Sequence, residues 1–427
     1  MKKIWEDGDK INFRELREIQ LKRLKATLRR AWRVPAIRRK WTEVGFKPEN
    51  LKTLEDLEKI PFMSKEDFTR NFPFGLLAVP LEKIVRLHMS SGTTGDPKVV
   101  AYTAKDIEVW ANLMARGMAC IGITSKDILV NTSNHNVFTG GLGIIQGAEL
   151  LGATAVPLGP VGSERTLELI MKLKATVIHA IPSFGLKLAE TAKESGIRAE
   201  DLPLRIGIFG AEPWSEQARK RIEDALGLTA YDNYGLSELC GPGVAIECPI
   251  RNGLHIWSDY FIPEIIDPKT GEVLEDDEKG ELVLTALWKE AIPIVRYRTG
   301  DLCSITHEAC ECGRIHPRIS RITGRTDDML IIKGVSIFPS QIEDILMRFD
   351  EITDNFQIVI AKSSALTGMK VKVEVKDEFW NKKEEIAKKI AKRFREVLLL
   401  GVNVECVREK MLPRSKGKAR RVVYIET

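Results

Sequence analysis

Net charge is nearly absent from this 427-residue chain, where 65 basic and 60 acidic side chains leave +5 at pH 7. So small an excess argues against nucleic acid, whose binding depends on neutralising phosphates. Basic residues do gather at residues 1–50 and again at Arg414, Lys416, Lys418, Arg420 and Arg421. The first cluster reads as the solvated face of a helix. Cysteine is sparse and odd in number, seven scattered over a long chain, which excludes a disulfide framework. Long hydrophobic runs are also missing. The most apolar region, residues 140–162, is interrupted by Gln146 and Glu149 and is rich in glycine, a poor membrane span. Glu6, Asp7 and Asp9 stand where the apolar core of a secretory signal would follow Lys2-Lys3. The expected compartment is therefore the cytoplasm. A content of 44% hydrophobic residues supplies a core, and the length predicts two or three domains.

What the chain does have is concentrated in His88-Met89-Ser90-Ser91-Gly92-Thr93-Thr94-Gly95-Asp96-Pro97-Lys98. An apolar strand over 84–89 leads into a loop dense in hydroxyls and glycines that ends in a cation. Glycines let backbone N–H groups approach a polyphosphate, the hydroxyls of Ser90, Ser91, Thr93 and Thr94 add donors, and Lys98 offsets charge. The spacing is not that of the P-loop. Standing alone, the stretch also has a second, weaker reading as a polar, glycine-rich turn.

The flanking pattern gives it a setting. Residues 1–75 look helical, with Leu21, Leu24, Leu28 and Trp32 at helical spacing and Pro35 as a break. Thr103 with Asp106 predicts a helix start, and Ile107, Trp110, Met114, Gly117 and Met118 form its apolar stripe. A strand over 127–133 runs into Asn131-Thr132-Ser133-Asn134-His135-Asn136. Phe138-Thr139-Gly140-Gly141 follows, which would bring one ring and bare backbone against a flat ligand. His135 by itself reads first as a hydrogen-bonded loop histidine. From 150 to 235 strands and helices alternate, the rhythm of a largely parallel sheet. Ligands of such sheets sit at the carboxyl ends of the strands. Gly210-Ala211-Glu212 and Asp232-Asn233-Tyr234-Gly235-Leu236-Ser237-Glu238 occupy such ends. Glu238 suits a magnesium ligand as well as a helix cap, and Tyr234 suits either the core or a purine face. Residues 256–305 look β-rich and close on Arg296-Tyr297-Arg298-Thr299-Gly300-Asp301, whose last carboxylate could take two vicinal hydroxyls or merely shape a turn. Gly324 to Asp328 reads as a domain boundary. Beyond it come a strand 329–333, a helix 339–348, strands 356–361 and 369–376, a helix 381–399 and a strand 402–408, an α+β unit of independent size. The expected class is α/β, with residues 1–326 as a large domain of parallel sheets and a β-rich subdomain. Residues 327–427 form a small α+β domain.

Together, SSGTTGDPKVV, FTGGLG, RIGIFGAEPWSE, YGLSE, GPGVA, RYRTGDL, GRTDDMLIIKGVSIFPSQIE and PRSKGKA, in this order, resemble the adenylate-forming acyl-CoA synthetases. Within them the chain is similar to the phenylacetate–CoA ligase family, from about residue 50 onward. The resemblance implies a two-step reaction, in which a carboxylate attacks the α-phosphorus of Mg·ATP and coenzyme A then displaces AMP. It assigns Ser90, Ser91, Gly92, Thr93, Thr94, Gly95 and Lys98 to the phosphates. Gly210, Ala211 and Glu212 would frame the adenine, Tyr234 would meet the purine face, and Asp232 and Gly235 would also bind the nucleotide. Glu238 would bind Mg²⁺, Asp301 the ribose hydroxyls, and Arg325 the nucleotide. Asp327 would be a hinge, Lys418 the mobile catalytic lysine, and Lys333 its counterpart during thioester formation. His135, Phe138, Gly140 and Gly141 would line the acid site, and a homodimer is implied.

Cys310 and Cys312 allow two metal sites, one local with His307 and His316 and one longer-range with Cys248 and His255. The resemblance favours the second, Cys248, His255, Cys310 and Cys312, holding a structural Zn²⁺. One departure is plain. Where the family is glycine- and tyrosine-rich before FTGGLG, this chain is polar from Asn131 to Asn136, which also admits an aryl acid with a hydrogen-bonding substituent. Alternatives are a synthetase that adenylates a deazaflavin without a thiol step, and a nucleotide-binding relative without turnover.

Overall fold

A polar anchor, rather than the apolar stripe alone, orients the first helix. Asn12 opens α1 (Phe13–Ala31) through a reciprocal cap with Glu15, both bonds at 3.0 Å. Its buried face is Leu16, Gln20, Leu24, Thr27, Leu28 and Ala31, whereas Leu21 and Trp32 of the expected stripe are half-buried. The rotation follows from Gln20, whose amide donates to the Ser258 carbonyl at 2.8 Å inside the protein and would be costly to bury without that partner. The computed structural model describes residues 11–89, 98–136, 139–326, 328, 330–332, 335–362, 367–398, 400–413 and 421–426. Ser90, Ser91, Gly92, Thr93, Thr94, Gly95, Phe138, Asp327, Lys333 and Lys418 lie outside them.

Two compact units divide the chain. The first comprises Met1–Ala180, Glu200–Ala211 and Gly227–Arg321; the second comprises Ile181–Ala199, Glu212–Leu226 and Ile322–Thr427. After α1 come α2 (Pro35–Glu43), α3 (Lys65–Arg70) and the antiparallel pair β1 (Ile84–Met89) and β2 (Val99–Thr103), with Met89 opposite Val99. Then α4 (Ala104–Cys120) begins at the Thr103–Asp106 capping box and buries Val109, Trp110, Leu113, Met114, Gly117 and Met118. Asp106 is fully buried, and it accepts from the amides of Thr103, Glu290 and Ala291 at 3.0, 2.7 and 3.0 Å.

Next along the chain are β3 (Ile128–Asn131), α5 (Gly140–Leu151), β4 (Thr154–Val156), α6 (Ser163–Leu173) and β5 (Val177–Ala180). They are followed by α7 (Pro182–Glu194), β6 (Ile206–Gly210), α8 (Glu216–Leu226) and β7 (Thr229–Leu236). Helices α4 and α5 approach closely because Gly143 and Gly147 leave room for Trp110 and Met114, against which a Cβ would collide. Then come β8 (Gly241–Glu247), β9 (Leu254–Ile256), β10 (Phe261–Ile266), β11 (Gly280–Ala286), β12 (Tyr297–Cys303), β13 (Ile305–Thr306) and β14 (Arg318–Ile319).

A nine-stranded sheet in the first unit runs β13-β14-β9-β8-β7-β6-β5-β3-β4. From β4 to β7 neighbours are parallel; from β7 to β13 they are antiparallel. The switch of direction falls after β7, at Ser237-Glu238. Strands β10, β11 and β12 form a separate antiparallel layer.

In the second unit, β15 (Gly324–Arg325), β16 (Leu330–Ile332), β17 (Val335–Ile337), α9 (Pro339–Leu346), β18 (Ile352–Lys362), β19 (Thr367–Val375), α10 (Lys383–Leu398), β20 (Asn403–Arg408) and β21 (Val422–Glu426) follow. The sheet order is β20-β19-β18-β21, and α10 turns Ile386, Ile390, Phe394 and Leu398 inward. Strands β17 and β21 were not expected from the sequence. The second is five residues long, and it is fixed by non-local parallel pairing with β18. No described helix is long and apolar enough to cross a membrane. The architecture is α/β, as its alternating pattern predicts.

Candidate functional site

The turn after β7 carries Glu238 to the carboxyl end of the parallel strands, where α/β sheets bind ligands. There Glu238 is buried and forms an ion pair with Lys98, which stands directly before β2. The Tyr297 hydroxyl donates to Glu238 Oε1 at 2.8 Å. Burial pushes the Glu238 carboxyl up, but the Lys98 charge and hydrogen bonds outweigh it, so the net shift is downward. An ionised, buried oxygen donor is what a hard divalent cation needs, so Glu238 fits Mg²⁺.

Nothing in the sequence singles out the groups beneath this pair. Lys289 is fully buried, donates from Nζ to the Glu238 carbonyl at 3.1 Å, and lies 4.4 Å from the centre of the Tyr102 ring. Burial pulls its ammonium down to about 8, against the opposing pull of Asp106, Cys240 and Glu238. Tyr102 in turn donates to the Ser237 carbonyl at 3.3 Å. The backbone that aims Glu238 is thus held from below by two side chains whose sequence contexts look merely structural.

The remaining strand ends frame bare backbone. A Cβ at Gly210 would strike the Asn233 carbonyl, and one at Gly235 the Gly241 carbonyl. Ala211 adopts a left-handed φ of 69°, a conformation that costs energy in a residue with a Cβ and concentrates at functional sites. The Tyr234 hydroxyl donates to Asp301 Oδ2 at 2.7 Å, both residues being buried. Burial and the Asp301 charge push the Tyr234 phenol up. Asp232 accepts from Arg321 Nε at 3.2 Å, and its amide donates to Glu247 at 2.7 Å. In the second unit, Glu212 accepts from the Ser183 amide at 3.2 Å, and Arg325 is half-buried on β15.

The segment after β3 is tied to the Glu238 turn, because Thr139 Oγ1 lies 3.2 Å from Ser237 Oγ. Gly140 and Gly141 open α5. A side chain at Gly141 would meet the Asn134 carbonyl at 2.6 Å and His135 Nδ1 at 2.8 Å.

A second cluster gathers Cys248, His255, Cys310 and Cys312, with all ligand atoms within 4.8 Å of one another. Cys248 Sγ and Cys310 Sγ are 3.8 Å apart, and Cys312 Sγ is 3.3 Å from His255 Nε2. Tetrahedral zinc with Zn–S bonds of about 2.3 Å spaces its sulfurs at about 3.8 Å. His255 Nδ1 lies 2.9 Å from the His316 carbonyl, the outer bond that orients a metal-bound imidazole. The local alternative is not assembled. His307 is bonded to Asp276 at 2.8 Å, and His316 is engaged by Ser258 at 2.8 Å and by Arg116 at 2.6 Å. Arg116 is buried, pairs with Asp259 at 2.8 Å and lies over the Trp257 ring, so the cluster is braced against α4.

Residues 47–286 match the model of the AMP-binding enzyme family, and residues 334–424 match the AMP-binding enzyme C-terminal domain. A phenylacetate–coenzyme A ligase of Thermus thermophilus is 42% identical over 96% of each chain. One of Pseudomonas putida is 44% identical, over 95% of this chain and 93% of its own. Among solved structures, a 2-hydroxyisobutyryl-CoA ligase in the postadenylation state in complex with 2-HIB-AMP superposes with a TM-score of 0.92. It is 29% identical, over 98% of this chain and 91% of its own. With full-length identity above two-fifths, matching motifs in order and the same fold, the chain belongs to the phenylacetate–CoA ligase family of AMP-binding, adenylate-forming enzymes.

Proposed function

We propose that this member of a family of ATP-dependent, AMP-forming acid–CoA ligases activates an aryl or arylacetic acid in the cytoplasm, as a homodimer. The observation that carries the reading is the buried, ionised Glu238 paired with Lys98 at the turn after β7. A carboxylate and an ammonium held dry at a strand end can orient a triphosphate and its cation. When bound, Mg²⁺ would be held by Glu238 and would neutralise charge on the phosphates.

In the first step a carboxylate oxygen of the acid bonds to the α-phosphorus. The bond from that phosphorus to the β-phosphate bridging oxygen breaks, and pyrophosphate leaves. In the second step the coenzyme A sulfur bonds to the acyl carbon, its proton is lost, and AMP departs with the carbon–oxygen electron pair. Ser90, Ser91, Gly92, Thr93, Thr94, Gly95 and Lys98 hold the phosphates in this reading. Gly210, Ala211 and Glu212 frame the adenine, Tyr234 the purine face and Asp301 the ribose, and Asp232, Gly235 and Arg325 also bind the nucleotide. Residues 327–427 form the mobile domain, hinged at Asp327, which presents Lys418 for adenylation and Lys333 for thioester formation. His135, Phe138, Gly140 and Gly141 meet the acid.

Pyrophosphate release with Mg·ATP across aryl, heteroaryl and fatty acids tests this directly. The expected result is release that depends on an aryl or arylacetic acid, with a thioester only when coenzyme A is added. Bound ATP with no acid-dependent release would sink it, and release without any thioester would favour an adenylating synthetase.

Zinc is the second element of the reading, held by Cys248, His255, Cys310 and Cys312, where it would tie the 248–255 and 310–312 segments together. Elemental analysis of the purified protein should find one zinc per chain, and Cys310→Ser should lose it and lower the melting temperature. Metal-free protein with an unchanged melting temperature after chelation would contradict it.

A further inference from the structure

The segment between β3 and α5 contains more buried polarity than a hydrocarbon acid can use. Asn131 is fully buried; its amide donates to the Gly141 carbonyl at 3.0 Å, and its Oδ1 lies 2.8 Å from His179 Nδ1. The same His179 nitrogen is 3.2 Å from Ser133 Oγ. Burial first, and His135 second, hold the His179 imidazole down to about 3, so it is neutral at pH 7. The chain Ser133–His179–Asn131–Gly141 is closed upon itself, each member having a partner.

His135 breaks the pattern. Its ring packs at Gly141, and its Cδ2 is 3.7 Å from where a Cβ of Gly159 would stand. Its Nε2 is buried and has no hydrogen-bond partner among the described residues. A buried polar nitrogen without a partner has lost its water and gained no bond in exchange, which is unfavourable. Four residues further on, Thr139 bonds the residue next to Glu238, so the orphan belongs to the segment anchored at the adenylation carboxylate. The neighbouring Gly140 and Gly141 present no side chain that could supply the missing bond.

We propose that His135 Nε2 is completed by the substrate, and that the preferred acid is an aryl or arylacetic acid bearing a hydroxyl or amino group on its ring. This rests on the acid–CoA ligase reading given above. A site built to hydrogen-bond a substituent rejects the analogue that lacks it more strongly than an apolar pocket rejects an added hydroxyl. Preference therefore comes from the nitrogen left bare when plain phenylacetate is bound.

The test compares kcat/KM for phenylacetate, its 3- and 4-hydroxy derivatives and its amino derivatives, in the wild-type protein, His135→Leu and His135→Gln. The wild type is expected to favour the best substituted acid by ~10-fold or more. His135→Leu should erase or invert that ratio with ATP affinity unchanged, and His135→Gln should keep part of it. A wild-type preference for phenylacetate overturns the assignment, as does a His135→Leu variant that slows all acids equally. If none of these acids yields AMP and pyrophosphate, the ligase reading itself falls, an outcome distinct from active enzyme with an unmoved preference.

Discussion

Lys418→Ala is expected to slow acyl-adenylate formation by ~10²-fold or more, the usual cost of removing a positioned stabiliser of developing transition-state charge. Attack of a carboxylate on the α-phosphorus gathers negative charge on the phosphoryl oxygens, and a cation aimed there lowers the barrier through electrostatics rather than by moving a proton. In PRSKGKA the family's lysine directly follows the glycine, which selects Lys418 over Lys416. Removing Lys418 should leave ATP bound, since the residues proposed to hold the phosphates and their cation, Lys98, Glu238 and Ser90 to Gly95, stand elsewhere in the sequence. Coenzyme A should still react with acyl-adenylate supplied ready-made, because the proposed mechanism gives that half-reaction to Lys333 instead. Single-turnover pyrophosphate release and calorimetric ATP binding measure the two quantities separately. Equal losses in both, or a larger effect from Lys416→Ala, would contradict the assignment.

Arg296→Met is expected to cost about 3–5 kcal/mol of stability, the usual price of stranding one partner of a buried ion pair. Arg296 opens the motif that ends in Asp301, and its side chain is engaged by the protein itself. Its guanidinium pairs with Glu264 at 2.8 Å, donates to the Glu58 and Ile60 carbonyls at 2.6 and 2.9 Å, and lies 4.1 Å from the Phe62 ring centre. Both charged groups are buried. Burial already pushes the Glu264 carboxyl up, and Arg296 alone among its named influences pulls it back; without Arg296 it must protonate or remain an uncompensated charge. Lysine should not rescue, since one ammonium cannot reproduce a fork that reaches a carboxylate and two carbonyls. Arg296→Met combined with Glu264→Gln should recover part of the loss. Urea denaturation measures all three, and a loss below about 1 kcal/mol, typical of solvated pairs, would show that the pair is not desolvated.

Arg296 also shows where reading the sequence stops. The rhythm of strand and helix from 150 to 235 is a local pattern, and it sets the class of fold and the strand ends where Gly210, Asp232 and Glu238 stand. The Thr103–Asp106 cap was legible for the same reason, since its partners are three residues apart. What escaped depends on partners far along the chain. Gln20 turns α1 because of Ser258, Lys289 supports Glu238 across 51 positions, and β21 exists because β18 offers an edge. The Cys/His cluster falls between these cases. Composition and spacing left two ligand sets open, and only the return of β14 beside β9 places Cys310 and Cys312 near Cys248 and His255. His135 is the sharpest instance. The resemblance puts it beside the acid, but only its surroundings show that Nε2 has no hydrogen-bond partner among the described residues.

The measurement that bears most directly on the chemistry is isotope transfer from an acid labelled with oxygen-18 in its carboxylate, incubated with Mg·ATP and coenzyme A. If the acid's oxygen attacks the α-phosphorus, one labelled oxygen must leave with AMP when the thioester forms. Label in AMP, one atom per turnover, is the predicted result. Label in inorganic phosphate, with ADP as the nucleotide product, would mean attack at the γ-phosphorus and would contradict adenylation by this chain.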